Sequence, residues 1–111
     1  MLILIHADGP RPLATEGRAD IEAMLARRLR RFASLFTRLE VYLGRNEGTE
    51  AEVEPWRCTI EGRIARAKPL KVEYTAARAD LAAEGAAARL LTATERRVAR
   101  RQAAARRGPG R

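Results

Sequence analysis

One cysteine, Cys58, and one histidine, His6, are all that 111 residues offer of the two side chains that build zinc-type clusters. No internal disulfide can form, and a reducing cytoplasm is the expected location. No zinc-type cluster can be assembled, so His6 reads as the end of a strand and Cys58 as core. Aromatics are scarce at 5%, and Trp56, which shares a face with Cys58 and Ile60, reads as packing in that core. No apolar run approaches the ~20 residues of a membrane span. The start, MLILIHADG, has no basic lead-in and too short an apolar run for a signal peptide. There is no glycine-rich phosphate loop. Ser34 has no base beside it, and Glu50, Glu52 and Glu54 lack the spacing of a calcium loop. Neither an enzymatic activity, a metal, a cofactor nor a small-molecule substrate is expected.

Positive charge is plentiful. Lys and Arg number 22 against 14 acids, a net charge of +8. Residues 16–38 hold six Arg and three acids, and residues 89–111 hold eight Arg and one acid, Glu95. Between them, residues 39–80 are nearly neutral, with seven bases and eight acids. Charge gathered in two stretches repels itself in a folded chain unless a polyanion is the partner. Nucleic acid fits better than an anionic membrane, because the last helix has too weak an apolar face to insert.

The pattern of apolar residues predicts six elements. Met1–His6 reads as a strand, followed by a turn at Asp8–Pro12. From Glu16 to Phe36, Ile21, Met24, Leu25, Leu29, Phe32, Leu35 and Phe36 recur at three and four, which predicts an amphipathic helix. Leu39, Val41 and Leu43 alternate with polar residues in a second strand. The acidic segment Arg45–Pro55 is expected to be a mobile loop. Trp56 to Ile64 and Leu70 to Tyr74 alternate as two further strands. Asp80 is expected to cap a helix from about Leu81 to Arg106, stopped by Gly108-Pro109-Gly110. The fold class is therefore α+β, a β-α-β-β-β-α two-layer sandwich with a four-stranded sheet and two helices on one face. Residues 1–107 are expected to form one domain and 108–111 a short flexible tail. Leu25, Phe32, Ile60 and Val72 are expected to be buried between the layers.

The candidate binding residues lie on the two helices. Arg27, Arg30 and Arg31 fall on the outer side of the first, while Arg28 lands near the edge of its apolar stripe. On the second, Arg89, Arg96, Arg100 and Arg107 fall within roughly 40° of one another at 100° per residue. Arg97 and Arg101 lie beside that line. It runs for about 27 Å, long enough to follow several phosphates. Leu91 and Val98, with Ala87 and Ala105, are expected to form the opposing core face.

Three segments resemble the ribosome hibernation promoting factor and ribosome-associated inhibitor family in its short form. They are IEAMLARRLRRFASLFTRLEVYL (Ile21–Leu43), WRCTIEGRI (Trp56–Ile64) and KVEYTAARADL (Lys71–Leu81), and the resemblance covers about residues 1–107. The chain diverges where many members carry Tyr-Ala-Ala-Ile, reading Ala82-Ala83-Glu84-Gly85 instead. The resemblance implies a cytoplasmic bacterial protein of stress and stationary phase, monomeric off the ribosome. It implies binding to the small ribosomal subunit and its RNA in the mRNA/tRNA channel, with translation blocked by occlusion. Two other readings of the residues stand beside it. One is a generic module for structured RNA or double-stranded nucleic acid. The other is a protein-interaction domain whose charge follows an arginine- and alanine-rich composition.

Overall fold

The computed structural model describes residues 1–7, 13, 15–45 and 55–107. The expected turn at Asp8–Pro12, most of the acidic segment and the tail at 108–111 lie outside the described residues. The order is β1 (Leu2–Ala7), α1 (Thr15–Arg28), a 3-10 turn (Arg30–Phe32), β2 (Phe36–Arg45), β3 (Trp56–Ile64), β4 (Leu70–Ala76) and α2 (Ala79–Arg107). The strands lie side by side in chain order. β1 pairs with β2 in parallel, and the other two pairings are antiparallel. The β-α-β-β-β-α order and the two-layer architecture are those expected.

Both helices cover the same face of the sheet. Leu39, Val41 and Leu43 of β2, with Cys58 and Ile60 of β3, point into a core closed by Leu25 and Leu29 and by Ala82, Ala83, Ala86, Ala87 and Leu90 of α2. α2 presents mostly methyl groups, which lets its backbone lie close to β3 and β4. The edge strands are less covered. Val72 on β4 is half-buried, which corrects its expected place deep in the core: an edge strand lacks a neighbour on one side.

Helix and strand boundaries differ from expectation at two places. The helix expected to reach Phe36 stops at Arg28, and Phe36 opens β2 opposite Ile64. Between them the backbone tightens, with Phe32 N–H donating to Leu29 O at 2.8 Å and Leu35 N–H to Phe32 O at 3.0 Å. Apolar residues three apart suit that tighter turn as well as an α-helix, so the periodicity ran on past the true end. Asp80 lies inside the first turn of α2, not at its cap. Its carboxylate accepts from Arg78 Nε at 3.0 Å and Nη2 at 2.6 Å. That pairing holds the Asp80 carboxyl below its usual range, and a negative charge there still suits the helix N-terminus.

Gly85 answers the divergence at the start of α2. A Cβ at this position would sit 2.1 Å from Tyr74 Cδ2 and 2.4 Å from Cγ. The Tyr74 ring therefore lies directly on the helix backbone. Gly85→Ala raises helix propensity by about 1 kcal/mol, yet overpacking of this severity costs about 1–3 kcal/mol. The net expectation is destabilisation in chemical denaturation, reversed to stabilisation when Tyr74→Ala is introduced alongside. A stabilising Gly85→Ala in the otherwise unaltered chain would show that the ring does not occupy that space.

Candidate nucleic-acid interface

Both helices start at the same end of the sheet, where Ala7 lies beside Leu43 and Ala76 beside Trp56. They therefore run in the same direction, and their C-termini meet at the opposite end. Two contacts fix this arrangement. Arg31 at the 3-10 turn lies 3.6 Å from Glu95 of α2, and Arg97 Nη1 donates to Lys68 O in the β3–β4 turn at 3.0 Å. Three stretches converge there: 28–38, 63–70 and 94–107. The first two contain no acid, and the third contains Glu95 alone. The result is a basic pole. At the other end Asp20, Asp80 and Glu84 line a groove of about 550 Å³ between the helices, together with Arg27 and Arg78.

The candidate arginines divide by what they touch. Arg27 and Arg30 are exposed, and among the described residues neither has a salt bridge. Arg31 lies over the Phe32 ring at 4.4 Å as well as near Glu95. Arg89 is a strut: Nη1 donates to Glu73 O at 2.8 Å, and the guanidinium covers the Tyr74 ring at 5.0 Å. Arg97 is half-buried against the β3–β4 turn. Arg96, Arg100, Arg101 and Arg107 are exposed and, among the described residues, have no acidic partner within salt-bridge distance. Among the described residues, these four guanidiniums thus have no protein partner.

α2 extends past the sheet. Its last buried residue is Thr94 and its last half-buried one Val98, while every residue from 99 to 107 is exposed. These nine residues form an arm about 13 Å long at 1.5 Å per residue. Ala105, expected to face the core, is exposed because no sheet remains beneath it. With no packing to hold the arm, its helix rests on the propensities of Ala, Arg and Gln. Arg96 and Arg100, like Arg97 and Arg101, stand one turn apart and repel, which a bound polyanion would relieve. The sequence reading missed Arg66 and Lys68. They sit in the β3–β4 turn, where Arg66 has φ of 60°, and the acid-free run through 62–72 was the available signal.

The remaining residues with reactive side chains have structural roles. Cys58 is fully buried, and burial pushes its thiol up to about 12, which leaves it unreactive. Trp56 packs partly buried against the core. His6 stands on the open face of the sheet and donates through Nε2 to Glu40 Oε2 at 2.7 Å. This bond, with the charges of Arg38 and Arg63 nearby, holds the Glu40 carboxyl below its usual value of 4.5. A depressed carboxyl stabilises the fold above the unfolded-state value and loses that contribution as pH falls through the folded one. Urea midpoints should therefore fall as pH is lowered from about 5 to 3, and Glu40→Gln should make that fall shallower. Identical profiles for the two proteins would remove Glu40 from the acid response. Among the described residues no group of acidic, His and Cys side chains could hold a metal, and no helix is long and apolar enough to cross a membrane.

A mixed four-stranded sheet in the order β-α-β-β-β-α, with two parallel helices on one face, defines the structural class. The chain is similar to the Thermus thermophilus Protein Y N-terminal domain, with a TM-score of 0.68 and 22% identity over 86% of this chain and 98% of that one. It is similar also to a ribosomal subunit interface protein from Coxiella burnetii, with a TM-score of 0.69 and 10% identity over 89% and 99%. At these identities the likeness establishes the fold. No protein-family model matches the chain, and no curated protein matches it by sequence.

Proposed function

We propose that this chain is a ribosome-associated inhibitor of translation. It binds the small subunit through its basic pole and blocks the channel that mRNA and tRNA would occupy. The observation that carries this reading is the convergence of both helix C-termini, which gathers Arg30, Arg96, Arg100, Arg101 and Arg107 at one end, without acidic partners among the described residues. Ribosomal RNA offers a matching target, since an A-form helix is read by shape through phosphates and 2′-hydroxyls across its wide groove. The fold supports the same partner: one protein that shares it is named for the ribosomal subunit interface. Inhibition is steric and needs no bond to be made or broken, so the function is binding without catalysis. The site of action is the cytoplasm, with the protein monomeric off the ribosome.

Sedimentation through a sucrose cushion tests the partner. The protein should pellet with 30S and 70S particles, and a large excess of free duplex RNA should not displace it. Displacement by duplex RNA at equal nucleotide concentration would favour the generic nucleic-acid module instead. Failure to pellet with 30S particles at low salt would remove the ribosomal reading altogether.

A further inference from the structure

The sheet face that the helices leave open contains a cleft that the basic pole does not use. Strand register sets His6, Tyr42, Thr59 and Glu73 in one row across that face. His6 and Tyr42 stack with ring centroids 4.9 Å apart and planes 19° from parallel. The hydrogen bond from His6 to Glu40 anchors the imidazole, so the Tyr42 ring is supported on one side. Its side chain nevertheless stays exposed, at 46%. Beyond the other side of the ring the next residues are small, Thr59 across the strand and Gly44 along it. A cleft of about 470 Å³ opens there, with Tyr42, Thr59, Arg57, Glu61 and Lys71 among its walls, and His6 is not one of them.

We propose that this cleft holds a single unpaired nucleotide of an RNA strand, its base stacked on the free face of Tyr42 and its phosphate drawn to Lys71. An aromatic ring with one open face, beside a cation, is the arrangement by which single strands are bound without pairing. Arg57 is engaged by Glu73, donating from Nε at 3.1 Å. Among the described residues Lys71 has no salt bridge, so its charge is available. Glu61 pairs with Arg63 through Oε1 at 2.9 Å. Its second carboxylate oxygen can accept from an exocyclic amine, which suits adenine. The inference goes beyond the small-subunit reading and does not depend on it, because the cleft and the helix arm lie on different faces.

The test is an NMR titration of the full chain with the single-stranded pentanucleotide of adenylate, and separately with free AMP. The Tyr42 ring resonances should move upfield with the pentanucleotide, and with AMP only at much higher concentration. Tyr42→Ala should weaken pentanucleotide binding roughly tenfold to a hundredfold, whereas Tyr42→Phe, which keeps the ring face, should bind nearly as the parent does. The Tyr42 shifts should persist when Arg96, Arg100, Arg101 and Arg107 are all changed to Gln, which separates this site from the basic pole. Unmoved Tyr42 resonances, or a Tyr42→Ala protein that binds as tightly as the parent, would overturn the proposal. AMP binding as tightly as the pentanucleotide would overturn the strand as its ligand.

Discussion

Changing Arg96, Arg100, Arg101 and Arg107 together to Gln is expected to weaken binding to the small subunit by roughly a thousandfold near 0.1 M salt. The magnitude follows from counterion release. Each phosphate neutralised contributes a slope of about −0.7 to −0.9 to log affinity against log salt, so four contacts remove about three units. Gln and Arg have similar helix propensity, so the circular dichroism spectrum should not change. Preference among RNAs should not change either, since phosphate contacts position a protein without reading sequence. Arg97 provides an internal contrast. Its Nη1 already donates to Lys68 O, so Arg97→Gln should loosen the attachment of α2 and flatten the salt slope by less than one unit. An unchanged slope in the fourfold variant would mean that these arginines face only water, and their abundance would reflect composition.

The largest effect on stability is expected at Phe32. It is 7% exposed, closes the 3-10 turn, and joins the cluster that includes Leu25 and Leu29. Phe32→Ala should cost about 3–5 kcal/mol in urea denaturation, the sum of lost transfer energy and a residual cavity. Val72→Ala should cost clearly less, because Val72 is half-buried on an edge strand. A loss near ~0.5 kcal/mol for Phe32→Ala would show that the segment between α1 and β2 does not pack as described.

The layers and their order were legible because period-2 and period-3.6 patterns persist over whole elements. β3 was readable to its ends, Trp56 and Ile64, since alternating Cys58, Ile60, Gly62 and Ile64 all face inward. The end of α1 was not, because Leu29, Phe32 and Leu35 keep a spacing of three through a change of helix type. At the interface, the sequence placed the arginines on exposed faces but could not assign their partners. Arg89 lies on the same helical line as Arg96 and Arg100, yet only Arg89 is near enough to β4 to bond Glu73 O. The reason is the reach of the sheet: it ends under α2 before Arg100, and periodicity does not encode where a neighbouring layer stops. The Tyr42 cleft was equally hidden, because it depends on cross-strand register, which brings His6 next to Tyr42 from 36 positions away.

Competition on the small subunit tests occlusion most directly. A fluorescent mRNA bound to 30S particles is titrated with the protein, and both bound species are counted after sedimentation. Occlusion of the channel requires that one mRNA be released for each protein bound, with no particle holding both. Particles that retain mRNA at full protein occupancy would contradict the account, even with the protein bound to them.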